Sequence, residues 1–417
     1  MTSESSQAFV WFWMPGATEP VVVGRLDRSG EVTSFTYGRN YLGQAEAVPL
    51  YLPELPLEDR VLMPLSGMSI AGCIADSGPD AWGQRVIMAK HAAGRSHRID
   101  HLDLGPLTFL LESGSDRIGA LDFQASSTRY VARTSHATLD ELRQLQDAAT
   151  ALDAGEVSSP ELLQALLHGS SLGGARPKVL IDDQGRKLIA KFSRASDTYP
   201  MVKAEGVAME LARRCGLDVA PVAVIDVSGR DVLLVDRFDR TEVPGERRMV
   251  VSALTILELD ERWARYATYP SLAEQVRKRF SNPQRTLREL FSRIVFNICV
   301  SNTDDHARNH AAFVEGGQLT LTPAFDVCPQ SRRGGEAVQA MELRADGYRF
   351  SRLAGAVSAA PTYQLSAAEA RQIVDHQVGV IRSEWEDAAD VARLTKLERE
   401  SLWGVQILNP YALEPEA

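Results

Sequence analysis

A short polar run late in the chain carries the side-chain types that chemistry on a phosphate needs. The run SNTDDHARNHAAF at 301–313 includes Asp304 and Asn309, and the later stretch TPAFDV adds Asp326. One carboxylate that orients an attacking hydroxyl, followed by an amide and a second carboxylate that hold Mg²⁺, is a phosphoryl-transfer layout. Mg²⁺ prefers such hard oxygen ligands. Asp304 is therefore the candidate base, and Asn309 and Asp326 are candidate metal ligands.

Two other interpretations of this run remain open at the level of sequence. A polar helix cap followed by a turn would explain one Asp and an Asn, but it explains the whole set poorly. His306 and His310 have the i, i+4 spacing of zinc-binding histidines on a helix. A zinc hydrolase of that type needs Glu directly after the first His, and Ala307 stands there. We therefore favour the phosphoryl-transfer interpretation and expect His306 to fix the loop by a hydrogen bond.

A glycine-containing loop, GSSLGGARPK at 169–178, precedes a predicted hairpin of two strands at 178–183 and 187–192. Gly173 and Gly174 carry no Cβ, so the backbone amides there can approach an anion closely. The loop has neither the Walker ending nor the Rossmann spacing. An ordinary tight turn remains the alternative.

Lys191 lies inside the apolar strand KLIAKF, where a lysine needs a partner to offset its desolvation. A lysine on such a strand contacts the ATP phosphates in kinases and pairs with a helix glutamate. Glu205, on the next predicted helix, is the natural partner. A lysine whose stem packs while its ammonium reaches water is the alternative.

The stretch LLVDRFDR at 233–240 ends a strand and is a candidate hinge between two lobes. The backbone at Asp236 and Phe238 is placed to read the adenine edge, and Asp239 is counted with these nucleotide-binding residues. Arg237, Asp239 and Arg240 could instead form surface ion pairs, each of which contributes little.

Helix signals are clearest in three capping boxes and one apolar stripe. Glutamate follows three residues after Thr138, Ser366 and Thr395, a pattern that opens helices. Apolar residues repeat with a helical period through the helix predicted before the polar run. Their positions are Leu287, Leu290, Phe291, Ile294 and Ile298.

Composition excludes several classes of protein. The 417 residues are 44% hydrophobic and 24% charged, as in a globular protein of two or three units. The four cysteines are scattered and indicate buried thiols in a reducing compartment. The start of the chain lacks a signal-peptide pattern and no stretch is long enough to span a membrane, so we expect a cytoplasmic protein. A net charge of −10 disfavours autonomous DNA binding.

Taken in chain order, the motifs resemble those of HipA-family serine/threonine kinases. They are SSLGGARPKVLI, LIAKF, VKAEGVAMELARRCGLDVAPV, VDRFDR, NTDDHARNHAAF and TPAFDV, preceded by VGRLDRSGEVTSFTY and ADSGPDAWGQRVI in the N-terminal part. The resemblance covers nearly the whole chain. It implies an α+β, bilobed, protein-kinase-like fold. The domains would be a β-rich N-terminal subdomain at 1–125, an N-lobe-like region at 126–250 and a mostly helical C-lobe at 251–417.

The resemblance also assigns roles. It implies ATP and Mg²⁺, with Lys191 on the phosphates, Asp304 as base and Asn309 and Asp326 on the metal. In that family a serine of the glycine-containing loop is autophosphorylated. Ser171 matches that serine best, with Ser170 next to it. Some relatives have Gly where this chain has Asp305, which adds a charge beside the base.

By the same resemblance the chain is a toxin of a toxin–antitoxin pair. It would phosphorylate a protein of translation such as an aminoacyl-tRNA synthetase. Its partner would be a small helix-turn-helix antitoxin similar to HipB, and DNA would be contacted only through that partner. Two other functions remain: a weakly catalytic kinase-fold module that serves mainly in an antitoxin–operator complex, and a kinase for a small molecule or lipid.

Overall fold

The chain is an α+β protein that forms two compact units. The computed structural model describes residues 6–92, 104–134, 137–155, 166, 176–194, 196–332 and 334–415. The first unit comprises Met1–Ala195, Arg237–Val251 and Val314–Gly317. The second comprises Ser196–Asp236, Ser252–Phe313 and Gln318–Ala417. The chain therefore passes from the second unit back to the first between Asp236 and Arg237, while the domain boundaries predicted at 125 and 250 stay a prediction.

An antiparallel five-stranded sheet forms the N-terminal part of the first unit, in the order β4-β3-β2-β1-β5. Its strands are β1 (Gln7–Phe12), β2 (Val21–Ser29), β3 (Val32–Tyr37), β4 (Val61–Leu62) and β5 (Leu121–Gln124). Burial alternates along β3, as expected for a strand with one covered face. A turn at Ser29-Gly30 joins β2 to β3. The buried face carries Val10, Leu26, Phe35 and Phe123.

Short helices and a second hairpin complete the first unit. The helices are α1 (Arg39–Leu42), α2 (Gly72–Ala75), α3 (Ala81–Ala92), α4 (Pro106–Glu112) and α5 (Leu142–Asp153). The capping box predicted at Thr138 is present just before α5. Strands β6 (Lys178–Asp183) and β7 (Arg186–Phe192) pair antiparallel with Lys178 opposite Lys191, which confirms the predicted hairpin.

A buried ion-pair cluster in the first unit replaces the surface ion pairs that were the alternative interpretation of this stretch. The Arg237 side chain is 0% exposed and that of Asp239 1%. The Asp239 carboxylate accepts from Arg237 at 2.8 Å, from Arg240 at 2.8 Å and from the N–H of Gly119 at 2.7 Å. Asp116 balances the second positive charge and lies 2.9 Å from Arg237. Such groups tolerate burial because each charge has an opposite partner and hydrogen bonds.

The second unit is mostly helical. Its helices are α6 (Met201–Arg214), α7 (Ala253–Ile256), α8 (Tyr269–Arg279), α9 (Pro283–Cys299), α10 (Leu353–Ala359), α11 (Ala367–Val391) and α12 (Lys396–Leu402). The predicted apolar stripe of α9 is entirely buried. The capping boxes predicted at Ser366 and Thr395 begin α11 and α12. Helix α6 packs against α11 and against the hairpin of β8 (Val222–Val227) and β9 (Arg230–Asp236).

Three more strands flank the predicted active-site residues. They are β10 (Val250–Ser252), β11 (Ala311–Glu315) and β12 (Gln318–Leu321). The four cysteines are buried and form no disulfide, as predicted. Across the described parts of the chain, no helix is both long and apolar enough to cross a membrane.

Candidate active site

The polar run forms a tight loop between α9 and β11 in the second unit. Helix α9 ends at Cys299, and Ser301 then takes a left-handed conformation with φ +53°. A short 3₁₀ helix, Ala307–Asn309, closes the loop. We call residues 301–310 the catalytic-type loop. Because both of its flanking elements pack in the core, the loop is held at its two ends.

Asp304 and Asn309 lie together in this loop. The side-chain Nδ2 of Asn309 donates to the backbone oxygen of Asp304 at 3.2 Å. Asn309 is buried, whereas Asp304 is an exposed residue. Since the amide nitrogen of Asn309 is used in this bond, its amide oxygen is the atom that would face a metal ion.

Asp326 follows β12 and has an unusual backbone. Its φ of +58° lies in the left-handed region, where Asp is more common than most residues but still carries strain. The segment before it is fixed, because Ala324 donates to Asp218 at 2.7 Å and accepts from Ala220 at 2.9 Å. An anchored segment thus presents a strained acidic residue, a combination that is common at functional sites.

The Asp304 carboxylate experiences the negative charge of Asp326. The pKa of Asp304 is raised, first because the surrounding protein removes part of the water around its carboxylate. His306 opposes this rise, and the negative charges of Asp326 and Asp305 add to it. The expectation that Asp305 adds charge beside Asp304 is therefore confirmed. A bound cation would offset the repulsion between these carboxylates.

The donor set fits Mg²⁺. Within the residues that the structure describes, no group of three or more His, Cys, Asp or Glu side chains could hold a metal by itself. Mg²⁺ is usually bound by one or two protein oxygens and keeps several waters and substrate phosphates as its other ligands. One carboxylate and one amide oxygen match that requirement, whereas a structural zinc site needs four protein ligands.

The loop does not form the helical turn that the zinc interpretation needs. His306 and His310 flank the 3₁₀ helix and both have extended backbones, so they do not share one face of an α-helix. The Nε2 of His310 lies 3.0 Å from Asp305. The buried Nδ1 of His306 has no hydrogen-bond partner among the described residues. Its backbone fixes the loop instead, donating to Asp304 at 2.8 Å and accepting from Asn309 at 2.8 Å.

Asp305 is the buried anchor of the loop, and most of this network was missed by sequence reasoning. Its Oδ2 accepts from Asn297 of α9 at 2.6 Å and from the hydroxyl of Tyr269 of α8, and it lies near His310. Burial would raise the pKa of Asp305, but His310 and the donated hydrogen bonds outweigh it and lower the pKa. An Asn inside the apolar stripe of α9 was the available signal, since a buried amide needs a partner.

The predicted lysine lies in the first unit. Lys191 is partly buried near the end of β7. Lys178, directly opposite on β6, is 3% exposed and lies 3.4 Å from Asp80, the residue before α3. Asp80 also accepts from the N–H groups of Trp82 at 3.0 Å and Gly83 at 3.2 Å. Sequence reasoning missed this buried Lys178–Asp80 pair, because its members are 98 residues apart.

The other predicted nucleotide-binding residues lie on α6, at the end of β9 and just after it. Glu205 is buried on α6 in the second unit, and its pairing with Lys191 stays a prediction. Asp236 ends β9 and donates its N–H to Pro221 at 2.9 Å, and Phe238 is half-buried in the first unit. Their contact with adenine and the nucleotide-binding role of Asp239 also stay predictions. The loop residues Ser170, Ser171, Gly173 and Gly174 lie outside the described residues.

Comparison with protein families gives two matches. A family model described as the HipA-like C-terminal domain matches residues 170–385. A second, described as the HipA N-terminal domain, matches residues 17–124. Together they cover both the sheet-rich N-terminal part and the catalytic-type loop.

The curated relatives are distant in sequence, and each match covers only part of both proteins. The Serine/threonine-protein kinase toxin HipA of Shewanella oneidensis is 24% identical over 183 residues, 38% of this chain and 42% of that protein. The Putative kinase Y4mE of Sinorhizobium fredii is 27% identical over 217 residues, 44% of this chain and 51% of that protein. The matches span about half of these relatives or less.

A solved structure matches over most of the chain. It is the Shewanella oneidensis MR-1 complex of HipA, HipB and operator DNA, with a TM-score of 0.67 and 16% identity. The match covers 93% of both chains. It confirms the predicted α+β, kinase-like fold.

Proposed function

The chain belongs to the HipA family, and on that basis we propose that it is an ATP- and Mg²⁺-dependent serine/threonine protein kinase. We further propose that it is the toxin of a toxin–antitoxin pair. The name of the Shewanella relative, a serine/threonine-protein kinase toxin, supports both parts of this proposal.

One observation carries the proposal most directly. Asp304, Asn309 and Asp326 come from two separate stretches of chain and gather in one unit. The bond from Asn309 to Asp304 and the repulsion between the two carboxylates are the evidence for this grouping. A base, an amide oxygen and a metal-binding carboxylate are the parts that phosphoryl transfer requires of the protein.

In the proposed reaction, Asp304 orients the acceptor hydroxyl and accepts its proton. Its raised pKa makes it a stronger base than an ordinary aspartate. Asn309 and Asp326 would hold Mg²⁺, which when bound to ATP neutralises charge on the phosphate oxygens. Asp305 keeps the loop in place through its buried hydrogen bonds.

The nucleotide-binding residues complete the proposal. Lys191 would contact the ATP phosphates with Glu205 as its partner, and the backbone at Asp236 and Phe238 would meet adenine, with Asp239 nearby. The glycines Gly173 and Gly174 would let the loop approach phosphate. These assignments follow the family motifs, and Lys191→Met and Glu205→Gln test the first pair.

Partners and regulation are part of the same proposal. The solved HipA was crystallised with HipB and operator DNA. We propose a HipB-like helix-turn-helix antitoxin for this chain, contact with DNA only through it, and a translation protein such as an aminoacyl-tRNA synthetase as substrate. Autophosphorylation would fall on Ser171 or on Ser170.

The test is phosphate incorporation by the purified chain with ATP and Mg²⁺. We expect mass spectrometry to find phosphate on Ser171 or Ser170, and Asp304→Asn and Asp326→Asn each to abolish it. Asp375→Asn is the matched control, because Asp375 is an exposed residue of α11. Phosphorylation that persists in both active-site variants would remove the catalytic assignment. Tight binding of the antitoxin by a chain without affinity for ATP would favour the binding-module alternative.

A further inference from the structure

A short 3₁₀ helix, Glu261–Tyr266, exposes two large aromatic side chains. Trp263 is 44% exposed and Tyr266 57%. Residues three apart eclipse each other in a 3₁₀ helix, and the two rings lie 5.8 Å apart at 32°. The guanidinium of Arg265 lies 5.0 Å from the Tyr266 ring and 5.9 Å from the Trp263 ring. We call Trp263, Arg265 and Tyr266 the aromatic platform.

Among the described residues, no carboxylate compensates the positive charge of the platform. On the same helix, Glu261 pairs with Arg308 at 2.9 Å, and Arg262 pairs with Asp260 at 2.7 Å. Arg265 donates to the Tyr266 hydroxyl at 3.2 Å, and no carboxylate among the described residues pairs with it. The cation is exposed in a chain whose net charge is −10. Exposed Trp, Tyr and Arg side chains are the types that dominate binding energy at protein interfaces.

The platform is connected to the catalytic-type loop on both sides. Before it, Glu261 is bonded to Arg308, the neighbour of Asn309. After it, Tyr269 is bonded to the buried Asp305, the neighbour of Asp304. Both connections lie in the second unit. A segment bound on the platform would therefore lie beside the loop that carries the proposed base.

We propose that the platform binds an acidic and partly apolar segment of the protein substrate and so positions the acceptor hydroxyl at Asp304. This inference rests on the proposed kinase function. The rings would cover apolar side chains of the segment, and Arg265 would pair with its carboxylate. Stacked bases would also suit the rings, but nucleic-acid binding draws on many cations, which an acidic chain with one unpaired arginine here does not supply.

The test compares two short peptides that each have a central serine. In the first, the Glu peptide, Glu and Leu flank the serine; in the second, the Lys peptide, Lys and Leu flank it. The wild-type chain should phosphorylate the Glu peptide with the lower KM. Arg265→Glu should raise the KM for the Glu peptide by about fivefold and reduce that for the Lys peptide, so that the preference reverses. Trp263→Ala should raise both KM values. Arg371→Glu, a charge reversal at an exposed residue of α11, should keep the wild-type ratio.

The outcomes separate this inference from the kinase proposal. Peptide affinities without ATP, from fluorescence anisotropy, should show the same reversal. A reversal in affinity with no phosphate transfer would leave the platform assignment standing and overturn the kinase function. An unchanged ratio, or an equal loss for both peptides in Arg265→Glu, would overturn the platform assignment. Two other results would also overturn the platform assignment: a dimer in sedimentation, or binding of a labelled oligouridine, if Trp263→Ala abolishes it. The occupant of the platform would then be a second copy of the chain or RNA.

Discussion

In the candidate active site, Nε2 of His310 lies 3.0 Å from Oδ2 of Asp305, and both side chains are buried. The same oxygen accepts from Asn297, and the hydroxyl of Tyr269 is bonded to it as well. One carboxylate therefore joins α8, α9 and the end of the loop. The residue next to the proposed base is a structural anchor rather than an extra metal ligand.

We predict that Asp305→Ala destabilises the second unit by about 3–5 kcal/mol, because it leaves three buried polar groups without their acceptor. Asp305→Asn should cost less, since an amide oxygen still accepts one hydrogen bond. Denaturant unfolding with a check of the m-value measures the change. Asp375→Ala should stay within about 0.5 kcal/mol of the wild type. A loss in Asp305→Ala no larger than in this control would contradict the anchor role.

A second prediction concerns the pH dependence that Asp239 gives to stability. Burial alone would raise its pKa, but Arg237 and Arg240 outweigh burial and hold the pKa below the ordinary 3.8. In acid the unfolded chain therefore binds more protons than the folded chain. The contribution of Asp239 to stability is present above pH 3.8 and is lost as the pH falls through the lower pKa of the folded state.

Asp239→Asn should therefore destabilise the chain by about 3–5 kcal/mol at neutral pH, where it leaves buried arginines short of a negative charge. The difference in unfolding free energy between wild type and variant should shrink as pH falls below 3.8. Denaturant titrations at several pH values measure it. Asp375→Asn should show a small difference at every pH, and a constant large difference for Asp239→Asn would refute the linkage.

The third prediction uses the packing of α6, the helix that carries Glu205. A Cβ added at Gly206 would lie 2.4 Å from Cγ2 of Val224 and 3.5 Å from Cδ1 of Leu233. Valine is stiff at χ1 and cannot move aside cheaply. Overpacking of about 1–3 kcal/mol should exceed the helix-propensity gain of about 1 kcal/mol, so Gly206→Ala should be destabilising.

Gly379 of α11 gives the matched control, because an added Cβ there meets no atom of the described residues within 4 Å. Gly379→Ala should stabilise the chain by up to about 1 kcal/mol. The two identical substitutions should thus shift the thermal midpoint in opposite directions. Equal shifts would mean that the close approach of α6 to the β8–β9 hairpin does not hold in solution.

Local patterns explain what the sequence predicted well. The three capping boxes, the α9 stripe and the β6–β7 hairpin depend on residues within one helix or one hairpin. Asp304 and Asn309 are five residues apart, so their proximity also follows from a short loop.

Long-range pairing explains what the sequence missed. The partner of Arg237 in the buried cluster, Asp116, lies 121 residues earlier, and charge spacing alone could not distinguish burial from exposure. Tyr269 reaches Asp305 across 36 residues. In each case the partner comes from another element, and tertiary packing decides which polar groups lose their water.

The last prediction concerns the strain at Asp326. Glycine adopts its φ of +58° without cost, whereas alanine does not. Removal of the carboxylate also ends its repulsion with Asp304. We therefore expect Asp326→Gly to be more stable than wild type by about 1 kcal/mol, and Asp326→Ala to be less stable than Asp326→Gly by about 1–2 kcal/mol.

Asp326→Asn separates the two causes, because asparagine tolerates the left-handed region but carries no charge. Its stability should lie between those of the wild type and Asp326→Gly. Added Mg²⁺ with ATP should raise the unfolding midpoint of the wild type, since a ligand that binds the folded state stabilises it, and should leave Asp326→Gly nearly unchanged. If Asp326→Gly were less stable than the wild type in the absence of Mg²⁺, Asp326 would be a structural residue rather than one held in strain for metal binding.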